Sequence, residues 1–194
     1  MDVNDLLAFD VMPGTNDYPL FQAFPRTSPP PDFLPEILDV FSRVRATIDT
    51  HELEKGLKSD DVLAILRPDL VRLGFEVEAS KSAKEKIARP VFFGPLGVPT
   101  LRYEIDAYSS KYRCGLEVEA GRAWMGNAVY RDLIQAMVMT DVDYLLLAVP
   151  MSYKYKSNER STESKDFQNT CMVAEALFGH SRLTMPYRLV VIGY

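Results

Sequence analysis

Three acidic residues lie close together in a part of the chain where apolar and polar residues alternate. Asp106 falls in the alternating run 98–108, and Glu117 and Glu119 fall in the alternating run 112–119. Alternation with a period of two predicts β-strands, and residues two apart on a strand point to the same side, about 6.6 Å apart along the backbone. We therefore expect Glu117 and Glu119 on one face of a strand.

A hairpin through Ser109 and Ser110 is predicted to join the two strands and to bring Asp106 across to the two glutamates. Carboxylates that converge at neutral pH repel one another and bind protons more tightly unless a cation offsets their charge. Oxygen ligands of this kind suit Mg²⁺ or Mn²⁺. The cluster predicts a metal site. The same spacing also fits the solvent-exposed face of an ordinary hairpin, and that alternative stays open.

The sequence on both sides of the acids predicts a covered α/β domain. Apolar residues recur every three or four positions in 34–48, which predicts an amphipathic helix that ends near Thr50. A second helix is predicted at 59–73, with acidic residues in its first turn. The almost unbroken apolar run 143–149 is typical of a central strand covered on both faces. Acids inside such a domain need partners.

The remaining segments complete the predicted order, which contains no internal repeat. That order is helix, helix, three or four strands, helix, strand, helix, strand, and it predicts a central mixed sheet flanked by helices. The further segments are strands at 75–78, 90–93 and 187–192, helices at 122–140 and 166–178, and a polar loop at 153–165.

The N-terminal part of the chain differs from the rest. It is rich in proline, including Pro29-Pro30-Pro31, and shows no sustained periodicity. This composition predicts an N-terminal arm at 1–35 and a single α/β domain at 36–194, whose first helix is an extension to the core. Aromatic side chains in the arm favour docking onto the domain or onto a partner over free solvation.

The overall composition excludes several classes of protein. Hydrophobic residues make up 47% and charged residues 25% of the 194 residues, which is ordinary for a globular domain and argues against a disordered chain. No apolar run approaches the roughly 18 residues that span a bilayer, and the N-terminus lacks a basic signal start, so we expect a cytoplasmic protein without membrane contact. Cys114 and Cys171 lack the spacing of a disulfide framework or zinc site and are expected to be buried, reduced thiols.

Two groups of residues are candidates for nucleic-acid contacts. The net charge of −5 argues against simple binding to phosphates, but local patches count for more than the sum. A polar stripe with a period of four lies on the predicted helix 122–140. It consists of Asn127, Arg131 and Gln135. A basic run precedes the third strand and consists of Lys81, Lys84, Lys86 and Arg89. Both groups also fit an ordinary exposed surface.

The acids and their neighbours resemble a known motif. Ile105-Asp106 and, after ten further residues, Glu117-Val118-Glu119 resemble the signature of the PD-(D/E)xK nuclease superfamily, in which an Asp on one strand precedes an acid-x-Lys on the next. The order of elements over 59–150 is similar to that superfamily's αβββαβ core, the restriction endonuclease-like fold. Glu119 stands where most members have lysine. The Bam and Bgl branch of type II restriction endonucleases is similar in replacing that lysine with an acid or an amide.

The resemblance implies a metal-dependent DNA endonuclease that uses Mg²⁺ or Mn²⁺ and works as a homodimer. In this reading Asp106 bridges the metals, Glu117 completes the first site, and Glu119 binds metal or positions the attacking water. It also implies a further acid from the helix before the sheet, for which Asp61 is the preferred candidate. The alternatives are a non-catalytic nucleic-acid-binding or assembly protein that keeps the fold, and a nuclease that acts on RNA or on single strands.

Overall fold

The helices and strands follow one another in largely the predicted order. The computed structural model describes residues 18–50, 56–80, 85–121, 127–157 and 160–194. The helices are α1 (Leu34–Arg43), α2 (Arg45–Ile48), α3 (Ser59–Arg72), α4 (Ala128–Val138) and α5 (Asp166–Gly179). The strands are β1 (Leu20–Phe24), β2 (Glu76–Val77), β3 (Ile87–Phe93), β4 (Pro99–Ile105), β5 (Ala107–Ser109), β6 (Cys114–Val118), β7 (Tyr144–Val149), β8 (Tyr153–Ser157), β9 (Arg160–Ser164) and β10 (Arg188–Gly193).

Six of the strands form one mixed sheet, in the order β1-β10-β7-β6-β5-β2. The strands β10, β7 and β6 at its centre run parallel to one another. The outer strands β1, β5 and β2 pair antiparallel with their neighbours. The apolar strand β7 lies between β10 and β6, as predicted for a strand covered on both faces. The prediction of an α/β domain with a mixed sheet flanked by helices is confirmed at this level.

Helices cover both faces of the sheet, and each face has its own apolar core. On one face, α1 and α3 pack against the sheet, with Phe41 and Leu116 in the same buried cluster. On the other face, α4 and α5 contribute Leu133 and Cys171 to a cluster that includes Leu147 of β7. Successive residues of β6 and β7 enter the two cores alternately, because side chains alternate across a strand. This alternation decides which sheet face each acid occupies.

The predicted strand 98–108 is interrupted at Asp106, which corrects the sequence-based interpretation. Before the break, β4 pairs with β3 in a separate two-stranded ribbon, here called the β3–β4 ribbon (87–105). After it, β5 pairs with β6 in the main sheet. At the break, the Asp106 carboxylate accepts a hydrogen bond of 2.9 Å from the backbone N–H of Val118. A side chain thus takes the position of a ladder carbonyl, and the chain can change direction there.

The turn between β5 and β6 is also longer than predicted. Ser109 pairs with Cys114, so the turn spans residues 110–113 rather than Ser109 and Ser110, and Arg113 takes a positive φ of 48° within it. The resulting register pairs Ala107 with Leu116. The next residue on each strand is Asp106 on one side and Glu117 on the other, so these two acids lie opposite each other.

Two segments that were predicted to lack regular structure contain strands. The polar loop predicted at 153–165 is an antiparallel hairpin of β8 and β9. It was missed because β9, Arg-Ser-Thr-Glu-Ser, has no apolar residue that could mark a period of two. Within the predicted arm, β1 pairs with residues 189–193 of β10 at the edge of the main sheet, where flanking prolines are tolerated. Residues 1–17 lie outside the described part of the chain.

Both cysteines are buried free thiols, as predicted. Burial raises the pKa of the Cys114 thiol well above its ordinary range and that of Cys171 to about 12. Both thiols therefore stay protonated and unreactive at neutral pH. Among the helices of the described residues, none has the length and apolar character needed to cross a membrane.

Candidate active site

Three predicted acids meet where the ribbon leaves the sheet. Glu117 lies in β6 on the sheet face covered by α4 and is 7% exposed. Glu119 follows the last residue of β6. Its N–H donates to the Ala148 carbonyl at 2.8 Å, and its carbonyl accepts a hydrogen bond of 2.7 Å from the Tyr194 hydroxyl. Glu117 shares a side-chain hydrogen bond with Asp106, and charge repulsion links Glu119 to both. The structure thus brings the three residues together.

A fourth carboxylate reaches the cluster from α4. Asp132 is 2% exposed, and its Oδ1 accepts a hydrogen bond of 2.8 Å from Nε of Arg131. Its Oδ2 is buried and has no hydrogen-bond partner among the described residues. A buried, unpartnered carboxylate oxygen is costly, because it has lost water without gaining a donor. Asp132 also shares a side-chain hydrogen bond with the Glu119 carboxyl, so the partner of this carboxylate is either the Glu119 proton or a cation in the neighbouring cavity.

Asp106, Glu117 and Asp132 border a cavity of about 280 Å³ between α4 and the base of the ribbon, whereas Glu119 does not line it and is linked to it through Arg131 and Asp132. The residues that line it are Glu78, Lys86, Glu104, Ile105, Asp106, Glu117, Arg131, Asp132 and Gln135. Five of these nine side chains are acidic and two are basic. Acidic groups are therefore concentrated in a concave site, and a cation there would be stabilised by the carboxylates that it deprotonates.

Burial is the main cause of the raised pKa values in this cluster. It raises the pKa of Asp106 to about 6, although the Val118 N–H bond acts in the opposite direction. Burial and then repulsion from Asp106 raise the pKa of Glu117 well above its ordinary value. Burial and the Asp132 carboxylate raise the pKa of Glu119 to about 8. The pKa of Asp132 is raised by burial, while Arg131 lowers it. At neutral pH the metal-free cluster therefore retains protons that isolated carboxylates would lose.

Two basic side chains partly neutralise the acids. Arg131 donates from Nη2 to Oε1 of Glu119 at 2.9 Å and from Nε to Asp132, while its own side chain is 57% exposed. Lys86 lies deeper, and its Nζ is 2.9 Å from Glu78 and 3.3 Å from Glu104. The buried acids therefore have two basic partners, the exposed Arg131 and the more buried Lys86, which differ in exposure and in the acids that they contact.

The cavity offers carboxylate oxygens and the amide oxygen of Gln135, and oxygen donors of this kind suit a hard divalent cation such as Mg²⁺ or Mn²⁺. Oδ2 of Asp132 is the clearest of these atoms, since it has no other partner within the described residues. Among the described residues, no group of three or more acidic, histidine or cysteine side chains is arranged to hold a metal ion. Arg131 is paired with Glu119 and with Oδ1 of Asp132, so a cation held by these two acids would have to replace that ion pair.

Not every predicted site residue lies at this cavity. Asp61 is exposed in the first turn of α3 and does not line it. Arg89 is ion-paired with Asp141 and stacks 3.7 Å over the Tyr108 ring. Asn127 is exposed at the start of α4 with φ 58°, whereas Lys86, Arg131 and Gln135 do line the cavity. Lys81 and Lys84 fall outside the described residues.

The sequence interpretation missed Asp132 and Glu78. Asp132 lies between Val129 and Ala136 on the buried stripe of α4, three residues from one and four from the other. An acid at a core position of an amphipathic helix breaks the expected pattern, and such breaks concentrate at functional sites. Glu78 follows the two-residue strand β2, and its N–H donates to the Asp106 carbonyl at 2.8 Å. Only this pairing reveals it as part of the site.

Comparisons of the chain with protein-family models, with curated proteins and with solved structures gave no match. The class of protein is therefore argued from the fold and from the chemistry of the cavity.

Proposed function

We propose that this protein is a metal-dependent nuclease of the PD-(D/E)xK type, which hydrolyses phosphodiester bonds in DNA. The observation that carries the proposal is the convergence of Asp106, Glu117 and Asp132 on one solvent-connected cavity, with Glu119 next to Asp132 and with Oδ2 of Asp132 lacking a hydrogen-bond partner among the described residues. The order α3, β-strands, α4, β7 agrees with the restriction endonuclease-like core implied by the motif. A bound Mg²⁺ or Mn²⁺ would supply Lewis-acid activation and an acidified water at this site.

The protein's own residues have distinct parts in this proposal. Asp106 and Glu117 face each other across β5 and β6 and form the floor of the cation site. Asp132 borders it from α4, and Glu119 lies behind Asp132 and pairs with Arg131. Arg131 is exposed, so once released from Glu119 it is free to contact a phosphate at the cavity mouth.

The absence of lysine at position 119 does not leave the cavity without an ammonium group. Lys86 reaches the same cavity from the residue before β3, and its Nζ is held by Glu78 and Glu104. These two acids raise its pKa, so Lys86 is fully protonated at neutral pH. It can therefore stabilise negative charge on a phosphate but cannot act as a general base.

The test is cleavage of supercoiled plasmid in Mn²⁺ or Mg²⁺. We expect nicked and then linear DNA from the parent, and a rate lower by roughly 100-fold or more in Asp106→Ala, because the variant loses an acid of the cation site. Glu163→Gln is the control, because it also removes one carboxylate but does so at an exposed position in β9. Equal cleavage by Asp106→Ala and the parent would show that another site or a contaminant cuts the DNA.

A non-catalytic binding or assembly protein is the second candidate. It is favoured by the internal ion pairs, because Arg131 and Lys86 already offset part of the charge that a metal would neutralise. A calorimetric titration with Mn²⁺ separates the two candidates. Binding that Asp132→Asn weakens supports the nuclease, and the absence of any binding heat together with the absence of cleavage supports the second candidate.

A further inference from the structure

The tip of the β3–β4 ribbon carries an unusual group of exposed apolar side chains. Most large hydrophobic residues of this protein are buried in the two cores, but five near the ribbon tip are not. These are Phe92 (63% exposed), Phe93 (53%), Leu96 (101%), Val98 (59%) and Leu101 (36%). We refer to these five residues as the tip patch.

The backbone of the ribbon holds the tip patch outward. The β3–β4 register shifts between Pro90 and Phe93, and this irregularity leaves Val91 buried while Phe92 and Phe93 are both exposed. At the turn, the Gly94 N–H donates to the Val98 carbonyl at 2.8 Å, and Leu96 takes a positive φ of 61°. A non-glycine residue at positive φ is uncommon, so the turn presents Leu96 at some conformational cost.

The patch is large for the surface of a monomer. At roughly 150–200 Å² for each fully exposed side chain, its five members expose about 500 Å² of apolar surface. This is close to the largest patch found on typical monomers, about 300–600 Å², which is often functional. It is also sufficient as the apolar centre of an interface that buries about 800 Å² on each partner.

Charge decides what can cover this patch. The segment 91–101 contains no charged residue, and Arg102 is the first cation after it. Nucleic acids and anionic membranes are held by lysine and arginine beside any apolar contact, and this segment supplies none. The net charge of −5 on each copy opposes the approach of two copies, and this opposition is weakest where the surface carries no charge of its own, as at the tip.

We infer that the tip patch is the contact through which two copies of this chain associate. A two-fold axis brings the same patch of both copies together, so an uncharged apolar surface is complementary to itself. The prolines at positions 90 and 99 remove N–H donors from the ribbon strands, so the copies pack side chains against side chains instead of adding strand to strand. This association requires neither a metal nor a nucleic acid and does not rest on the proposed function.

The association is tested by measuring the mass of the full chain in chelator by sedimentation equilibrium, between about 1 and 200 µM. We expect a concentration-dependent rise from 22.0 kDa towards twice that mass. Leu96→Asp should raise the dissociation constant at least tenfold, because it puts two like charges on the axis. Leu96 is fully exposed and Asp tolerates positive φ, so the variant should fold. Phe92→Ser is a second variant, which should also weaken the association and introduces no charge.

Leu183→Asp is the matched control, since Leu183 is 46% exposed in the loop after α5, and it should leave the dissociation constant within twofold of the parent value. The inference is overturned if the parent stays at 22.0 kDa throughout. It is also overturned if the parent dimerises equally well with Leu96→Asp and Phe92→Ser. A monomer whose binding to a DNA duplex or to anionic lipid vesicles depends on Leu96 would assign the patch to that partner instead.

Discussion

Replacing Glu119 with glutamine is expected to stabilise the metal-free protein at neutral pH and to flatten the pH dependence of its stability. Burial and the neighbouring Asp132 carboxylate raise the pKa of Glu119 from 4.5 to about 8 in the folded protein. In the unfolded chain this pKa returns to its ordinary value. Between these two values the folded state binds more protons than the unfolded state, so the free energy of unfolding falls as pH rises.

The size of the effect follows from that pKa shift. Each pH unit inside the window changes stability by about 1.4 kcal/mol, so Glu119 costs about 4 kcal/mol at pH 7.5 and about 1.4 kcal/mol at pH 5.5. Its side chain is 15% exposed, so solvent screening is limited. The pKa of about 8 already includes the attraction of Arg131, which lowers it, so the ion pair needs no separate correction. The gain at pH 7.5 is therefore at most about 4 kcal/mol, or roughly 8–16 °C in Tm.

The assay is urea and thermal unfolding in chelator at three pH values spanning the window, for the parent, Glu119→Gln and Glu163→Gln. The parent should become more stable as pH falls from 7.5 to 5.5, and Glu119→Gln should show a smaller gain because the titrating group is gone. Glu163 is exposed in β9, so Glu163→Gln should follow the parent within about 0.5 kcal/mol. If Glu119→Gln and the parent had the same pH slope, the Glu119 carboxylate could not be the buried, proton-retaining group described here.

Two further predictions concern the proposed cation site. Glu117→Gln should raise the Tm in chelator, because burial and then the Asp106 carboxylate make an ionisable carboxyl at this position costly to fold at neutral pH. The variant should also lose most of the further rise that millimolar Mn²⁺ gives the parent, and equal responses to Mn²⁺ in both proteins would exclude Glu117 from the site. The affinity for Mn²⁺, measured by calorimetry without DNA, should increase between about pH 6 and 8. The reason is that Asp106 and Glu119 have raised pKa values, so Mn²⁺ must displace protons from them at the lower pH. An affinity that does not depend on pH, with no release of protons, would contradict this.

Local sequence patterns were sufficient to predict the helices and strands that bury one face or both faces in the core. The stripe in 34–48 became α1 and α2, the predicted helix at 59–73 became α3, and the apolar run at 143–149 became β7. These succeed because the spacing of apolar residues along the chain directly reflects the face that each element buries. The same alternation placed Glu117 on the face of β6 opposite to Cys114, Leu116 and Val118, although the sequence does not say what covers that face.

The composition of the site was decided by contacts between distant parts of the chain. The turn at 110–113 sets Asp106 opposite Glu117, and a turn at Ser109 and Ser110 would have shifted that pairing. Arg89 was predicted to face nucleic acid but pairs with Asp141, which is 52 residues away. No local pattern identifies such a partner, because the sequence alone does not distinguish Asp141 from any other carboxylate that the fold could bring close to Arg89.

Asp132 illustrates the same division most clearly. The sequence determined that a helix would follow β6 and that this helix would be amphipathic, because both depend on the period of its own residues. Only the tertiary structure turned Asp132 towards Glu119 and buried its Oδ2 without a partner, because the rotation of α4 is fixed by the packing of Val129, Leu133 and Ala136 on the sheet. The raised pKa values arise from that burial, which is a property of the packed layers and of no single segment.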